Sequence, residues 1–144
     1  MGKKRIVKTE NKEEGAPKNE SGALKSAKKR VESGILFVES TYNNTKLSLA
    51  DEKGNVVAWS SSGSLGFKGA KKGTPFAAAK VGETLAEKAK NLGLKEVDVV
   101  IKGVGSGRES SVRGFVGKGI ILKSVKDSTP VPHNGPRPPK PRRV

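Results

Sequence analysis

The chain has 144 residues and carries 29 lysines and arginines against 14 acidic residues, a formal net charge of +15. This length predicts one domain with appendages, and the charge predicts a polyanion such as RNA as the partner. The chain has no cysteine, which excludes a disulfide framework and a thiolate metal site. Its single histidine, His133, is close to the C-terminus, which excludes a Ser-His-Asp triad in the core, and it has no apolar run of about 18 residues, which excludes a membrane-spanning helix.

Residues 1 to 32 are predicted to form a flexible basic arm, because they mix Lys, Glu, Asn, Ser and Gly with few apolar residues. The positive charge is concentrated at Lys3–Arg5 and Lys28–Arg30, while five glutamates dilute it. An arm that contacts RNA and a simple solvated tail both fit this composition.

Three strands are predicted to open the folded core, which extends from residue 33 to residue 127. Gly34–Ser40 is rich in β-formers, Lys46–Ala50 alternates with period two, and Asn55–Ser60 forms the third strand after a turn. Because the connections are short, we expect an antiparallel meander. In the first connection, Asn43 and Asn44 have two open roles, as turn formers or as donors to phosphates and 2′-hydroxyls.

A glycine- and serine-rich loop, Ser61–Gly73, follows the third strand. Its small residues favour close approach to an RNA groove, and its cations are Lys68, Lys71 and Lys72. A loop that the lysines merely solubilise is the alternative. We expect Phe67 to hold this loop to the core rather than to stack on a base, and we also expect Trp59, at the end of a half-buried strand, to be core.

One long helix is predicted next, with Thr74 as N-cap, Pro75 at its first position and Gly93 at its end. Its apolar stripe recurs at spacings of three and four and consists of Ala78, Val81, Leu85, Ala89 and Leu92. A fourth strand with Val97, Val99 and Ile101 facing the core is expected to pair with the first strand in parallel.

A second helix is predicted from about Glu109 to Lys118, and we expect Gly114 and Gly117 to fray it. Ile120–Val125 forms the fifth strand. The order βββαβαβ in a mixed sheet is that of a ribonuclease-H-like α/β fold.

The loop Gly103–Glu109 lies between a strand and a helix, where glycines and free N–H groups favour a phosphate. Arg108 would add a bidentate contact. The alternative is an ordinary tight turn with Arg108 paired to Glu109 or to solvent. A dinucleotide site does not fit, because position 108 would require glycine.

A two-metal nuclease needs clustered carboxylates. Glu39 is available on the first strand and Glu83 or Glu87 on the helix, but Lys102 ends the fourth strand and opposes a metal ion. We therefore expect no enzymatic activity, no cofactor and no metal site.

Residues 128 to 144 are predicted to form an extended, basic tail. The segment holds six of the eight prolines and no carboxylate, and its four cations are Arg137, Lys140, Arg142 and Arg143. In polyproline geometry such a tail reaches roughly 45 Å and suits threading between RNA helices; a solvated tail is the alternative. Asn134 precedes a glycine, which favours succinimide formation, so isoaspartate at this position is a further hypothesis that the sequence alone does not decide.

Five motifs occur in order: Tyr42–Thr45, Gly66–Gly69, Thr74–Ala78, Gly103–Ser110 and Asp127–Pro139. Together they closely resemble the universal S11 family of small-subunit ribosomal proteins, in its bacterial and organellar branch. The resemblance covers residues 33 to 144.

The resemblance implies a ribonuclease-H-like fold without nuclease activity and a structural role in the 30S subunit. It implies that the protein lies on the platform of this subunit and bridges small-subunit rRNA helices there. The implied position is near the mRNA exit path and the Shine–Dalgarno duplex. The implied partners are the rRNA, neighbouring platform proteins and an initiation factor, with the cytoplasmic ribosome as location and no membrane contact. A free-standing RNA-binding module is the alternative.

The residues expected to bind rRNA lie in the loops, on the second helix and in the tail. They are Asn43, Asn44, Lys68, Lys71, Lys72, Arg108, Arg113, His133, Asn134, Arg137, Lys140, Arg142 and Arg143.

Overall fold

Five strands and two α-helices follow one another along the chain in the computed structural model, which describes residues 30 to 143. The predicted arm, up to residue 29, lies outside the described residues. A 3₁₀ turn, Gly69–Gly73, precedes the first helix. The elements are β1 Ser33–Ser40, β2 Thr45–Asp51, β3 Val56–Ser61, α1 Pro75–Asn91, β4 Glu96–Lys102, α2 Gly107–Val116 and β5 Ile121–Asp127.

The strands form one mixed sheet in the order β3-β2-β1-β4-β5. β2 is antiparallel to both of its neighbours, whereas β4 runs parallel to β1 and β5 runs parallel to β4. The predicted βββαβαβ order, the parallel pairing of the first and fourth strands and the ribonuclease-H-like topology are therefore confirmed.

Both helices cover the same face of the sheet, as two right-handed crossovers in one direction require. α1 packs on β2 and β3, α2 packs on β1, β2 and β4, and the helices pack on each other. Leu36 and Val38 point toward the helices and are fully buried, while Ile35 and Phe37 are only half-buried on the other side. We call this uncovered side, which carries Ile35, Phe37 and Val100, the bare face.

The first helix begins and ends where its sequence predicts. Pro75 is its first residue, and the N–H of Ala77 donates to Thr74 Oγ1 over 3.3 Å. Gly93 has a φ of 86° just beyond the last turn, a conformation that glycine adopts without strain. Most of the predicted stripe is buried, together with Ala77, Gly82 and Ala86.

Two glycines bring the helices into backbone contact. A β-carbon at Gly82 would overlap the carbonyl oxygen of Ser111 and would lie 2.9 Å from the nitrogen of Phe115. One at Gly114 would lie 2.5 Å from the carbonyl oxygen of Ala79. The sequence suggested that Gly114 would fray α2. It instead lies inside the helix and allows α2 to pack closely against α1. The fully buried Phe115 holds the same helix to the core.

The expectation that Trp59 is a core residue is wrong, because its side chain is 55% exposed. In the register of β2 and β3, Trp59 is opposite Ser48 and lies on the bare face, whereas Ala58 and Ser60 are opposite Leu49 and Leu47. The third strand thus turns its small residues toward the helices, and its one large aromatic residue toward solvent.

The folded core begins earlier than the predicted boundary at residue 33. Val31 is only 6% exposed, and its N–H donates to the carbonyl oxygen of Leu92 over 3.1 Å. The carbonyl oxygen of Glu32 accepts from the N–H groups of Lys95 and Glu96.

Within residues 30 to 143, no helix has the length and apolar character needed to cross a bilayer.

The substitution Gly82→Ala tests the helix contact, because propensity and packing predict opposite signs. Alanine is favoured over glycine in a helix interior by about 1 kcal/mol. The overlap with the backbone of α2 should outweigh this and lower the free energy of unfolding by about 1–3 kcal/mol. Chemical denaturation of the full chain measures the change.

Thr84→Ala, also on α1, is the matched control and should change the free energy of unfolding by less than about 0.5 kcal/mol. A Gly82→Ala variant as stable as the wild type would show that the helices separate without cost.

Candidate nucleic-acid interface

Four segments that each follow a strand meet at one end of the sheet. β1, β3, β4 and β5 run in the same direction, so the segments that follow them emerge together. We call this region the loop end, and it consists of residues 41–44, 62–74, 103–106 and 128–130. Most of the residues expected to bind rRNA lie in it or in the tail that continues from it.

Glycines hold the loop end together by backbone contact. The N–H of Gly105 donates to the carbonyl oxygen of Ser40 over 2.9 Å, and a β-carbon there would lie 2.5 Å from Ser40 Oγ. A β-carbon at Gly105 would also overlap the carbonyl oxygen of Thr41, and one at Gly73 would overlap the carbonyl oxygen of Tyr42. The three loops therefore fix one another, and the glycine motif packs against the chain's own backbone.

A side-chain bond ties two of these loops directly. Ser106 Oγ donates to the carbonyl oxygen of Gly73 over 2.8 Å. Ser106 also occupies the N-cap position of α2, but its side chain makes no capping bond to the helix. Its hydroxyl instead positions the lysine-bearing loop relative to the start of α2.

Arg108 connects the loop end to the beginning of the tail. Its guanidinium donates to the carbonyl oxygen of Gly103, to Thr129 Oγ1 over 3.2 Å and to the carboxylate of Asp127. The alternative that pairs Arg108 with Glu109 is wrong, because Glu109 forms an ion pair with Arg113. In this arrangement Arg108 fixes the direction in which the tail leaves β5.

The carboxylate of Asp127 is the other half of this contact. Thr129 donates to its Oδ1 from the backbone N–H over 2.9 Å and from the hydroxyl over 2.6 Å. The Thr129 hydroxyl and then the Arg108 guanidinium lower the pKa of Asp127 from 3.8 to about 2. Sequence reasoning missed this pair, although Asp-x-Thr is a common side-chain turn and was the available signal.

The lysines of the loop between β3 and α1 are available to a ligand. Lys71 and Lys72 lie in the last turn of the 3₁₀ segment, Lys68 directly precedes it, and its first turn has no acidic residue. Within residues 30 to 143, none of the three forms a salt bridge. Their charges are therefore uncompensated by the described part of the chain.

Asn43 and Asn44 lie in the connection between β1 and β2, beside these lysines. The turn is closed by Thr41, which donates from its N–H and its hydroxyl to the carbonyl oxygen of Asn44. Asn43 is exposed, and Asn44 Oδ1 is buried without a donor among the described residues. The backbone rather than the asparagine amides thus forms the turn, which leaves the Asn43 side chain free for a ligand.

Arg113 lies apart from the loop end. It is six residues into α2, about 9 Å along the helix from the first residue, and its exposed side chain pairs with Glu109.

The tail residues follow Thr129 in an exposed segment that forms no helix or strand up to residue 143. They are His133, Asn134, Arg137, Lys140, Arg142 and Arg143. Asn134 adopts a φ of 56°, the left-handed conformation that asparagine tolerates before glycine.

The expected core role of Phe67 is wrong. Its half-buried ring meets the ring of Phe76 edge to face, with centroids 6.2 Å apart at an angle of 82°. Phe76 is itself 65% exposed, so the two rings form a surface pair. The sequence signal for Phe76 was its position outside the apolar stripe of α1.

The first-strand carboxylate lies among cations. Glu39 is opposite Lys46 on β2 and Lys102 on β4, and the Lys46 ammonium lies 3.7 Å from its carboxylate. Residues 30 to 143 contain no group of three or more His, Asp or Glu side chains placed to hold a metal ion.

The sequence is similar to known proteins along nearly its whole folded part. Residues 34 to 143 match the family described as Ribosomal protein S11. The small ribosomal subunit protein uS11 of Solibacter usitatus strain Ellin6076 is 50% identical to it over 128 residues, which are 86% of this chain and 95% of that protein.

The Asp127 contact predicts a specific pH dependence. Because the folded chain holds the pKa of Asp127 at about 2, below the ordinary 3.8, the stabilisation is complete above about pH 4 and is lost as the pH falls through 2. Thr129→Val removes the largest cause and should move the pKa toward 3.8. Carboxyl chemical shifts during an NMR titration of the full chain measure this change.

Asp127→Asn is the companion variant and should abolish the part of the acid-induced destabilisation that this carboxylate causes. An Asp127 that titrates near 3.8 in the wild-type chain would contradict the contact with Arg108 and Thr129.

Proposed function

Because the chain belongs to the ribosomal protein S11 family, we propose that it bridges several helices of the small-subunit rRNA on the platform of the subunit. Family membership makes it a structural, non-enzymatic, rRNA-binding protein of the small subunit in the cytoplasmic ribosome. Its partners are the small-subunit rRNA and other ribosomal proteins.

One observation carries the proposal: the loop end presents uncompensated cations on a rigid support. Lys68, Lys71 and Lys72 lie on a loop whose position is fixed by the Gly73 contacts with Tyr42 and Ser106. RNA helices are recognised by shape and by phosphate and 2′-hydroxyl contacts, for which fixed cations and amides are suitable.

The tail supplies a second, separate set of contacts. Arg137, Lys140, Arg142 and Arg143 follow the Arg108–Asp127 contact, which sets where the tail begins. A loop and a tail that diverge from one fixed point are suited to two different rRNA helices. Arg108 acts in this scheme mainly by positioning the tail, and its remaining exposed surface is available to a phosphate.

The position near the mRNA exit path and the Shine–Dalgarno duplex is part of the same proposal. It predicts neighbouring platform proteins and an initiation factor as protein contacts. The net charge of +15 supports a site surrounded by phosphates rather than by acidic protein alone.

Hydroxyl-radical footprinting on small-subunit rRNA, with the partner ribosomal proteins present, tests the bridge. The full chain should protect several separated rRNA helices. A chain that ends at Pro130 keeps Asp127 and Thr129 and should lose the protections that the tail makes, while the protections from the loop end remain. Diffuse or absent protection by the full chain would instead favour a free-standing RNA-binding module.

The salt dependence of rRNA binding gives a quantitative prediction. Replacing the four tail cations Arg137, Lys140, Arg142 and Arg143 by Gln should reduce the log–log salt slope by roughly three, at about 0.7 per released phosphate contact. Filter binding of the full-length variant across a salt series measures the slope.

The matched control replaces four lysines at the opposite end of the sheet, near its turns, and makes the same change in net charge. These lysines are Lys53, Lys90, Lys95 and Lys118. The control should change the log–log salt slope by less than about 0.7, the value for one phosphate contact. Equal slopes for the two variants would mean that only total charge matters and would contradict a role for the tail.

A further inference from the structure

An exposed aromatic ring lies beside the lysine-bearing loop and does not belong to the buried core. Phe76 is the second residue of α1 and is 65% exposed. It lies on the helix face of Lys80 and Glu83, opposite the residues that pack on the sheet. Large exposed apolar side chains are informative when folding does not explain them.

The ring is nevertheless held in place. Phe67 contacts it edge to face at 6.2 Å, and the Lys80 ammonium lies 5.8 Å from its centroid. Lys80 is in turn positioned by Glu83, whose carboxylate lies 2.9 Å from the ammonium. An aromatic ring with a fixed orientation loses little conformational entropy when a flat ligand covers it.

The surroundings of the ring select the ligand. Lys68, Lys71 and Lys72 precede Phe76 in the chain, and neither the 3₁₀ segment nor α1 has an acidic residue in its first turn. Tyr42, 77% exposed, lies in the loop that contacts Gly73. Aromatic rings interleaved with cations are typical of surfaces that bind unpaired nucleotides, where bases stack and phosphates pair with lysine.

We propose that Phe76 is a stacking platform for one unpaired nucleobase of RNA, with Lys71 and Lys72 bound to the phosphates beside that base. This inference rests on the proposed rRNA-binding function and adds a base contact to an interface that otherwise reads backbone and shape. Phe67 is a positioning residue that keeps the Phe76 ring upright.

Four variants at one position separate stacking from other roles, in binding assays of the full chain to small-subunit rRNA with its partner proteins. Phe76→Ala should weaken binding roughly five- to a hundred-fold, the range for one lost base stack. Phe76→Tyr and Phe76→Trp should bind within about twofold of the wild type. Phe76→Leu, which keeps the apolar volume but not the π face, should be as weak as Phe76→Ala.

The salt slope and the fold supply the controls. No charge is removed, so the salt slope of Phe76→Ala should equal that of the wild type. The midpoint of thermal unfolding should fall only slightly, because the ring is 65% exposed and loses mainly its edge contact with Phe67. Trp59→Ala removes a comparably exposed aromatic side chain from the bare face and should leave rRNA binding unchanged.

Ultraviolet cross-linking of the same complex locates the base directly. Trypsin cleaves after Lys72 and Lys80, and Phe76 is the only aromatic residue in the peptide Gly73–Lys80. A nucleotide adduct on this peptide, lost in Phe76→Leu, supports the proposal.

Wild-type affinity in Phe76→Ala, or in Phe76→Leu, would overturn the stacking role, the latter because it indicates an apolar contact with a neighbouring protein. Either result would leave the rRNA footprint of the full chain in place. A full chain without localised protection would overturn the proposed function and the stacking role together.

Discussion

Contact between bare backbones at the loop end is the constraint on which the rest of the structure depends. Carbonyl oxygens at the end of β1 occupy the space that side chains at Gly103 and Gly105 would need. Because no side chain separates these backbones, the loop between β1 and β2 fixes the lysine loop and the start of α2 by direct van der Waals contact. The Ser106 hydroxyl and the Arg108 guanidinium then add the lysine loop and the beginning of the tail to this support. A surface that recognises a folded RNA by shape requires this kind of rigidity.

Electrostatics is organised around that support. The acidic groups nearest the loop end are each occupied by a cation of the chain: Asp127 by Arg108, and Glu39 by Lys46. The lysines of the loop have no such partner among the described residues, and the tail adds cations beyond the last strand. Ion pairs within the chain therefore neutralise the carboxylates that would otherwise repel phosphate. The ammonium and guanidinium groups of the loop and the tail stay available to an external partner.

Local patterns predicted the elements well, because each depends on neighbours in the chain. Period-two alternation identified β2, and Thr74, Pro75 and Gly93 marked the limits of α1. The interface was harder to predict, since it depends on residues far apart in sequence. The Arg108–Asp127 pair spans 19 residues, and the glycines of the β4–α2 loop pack against the end of β1, more than 60 residues earlier in the chain. The prediction that Trp59 is buried was wrong because both sets of alternating residues in β3 contain small side chains. The alternation therefore does not indicate which face of this strand is buried.

Trp59 has a practical consequence. It is the only tryptophan in the chain, and more than half of its side chain is in contact with solvent on the bare face of the sheet. Because part of the indole is still shielded by the sheet, its emission should shift modestly to the red when the chain unfolds. The same emission should shift to the blue when another molecule covers that face, so the direction of the shift distinguishes unfolding from binding at the bare face.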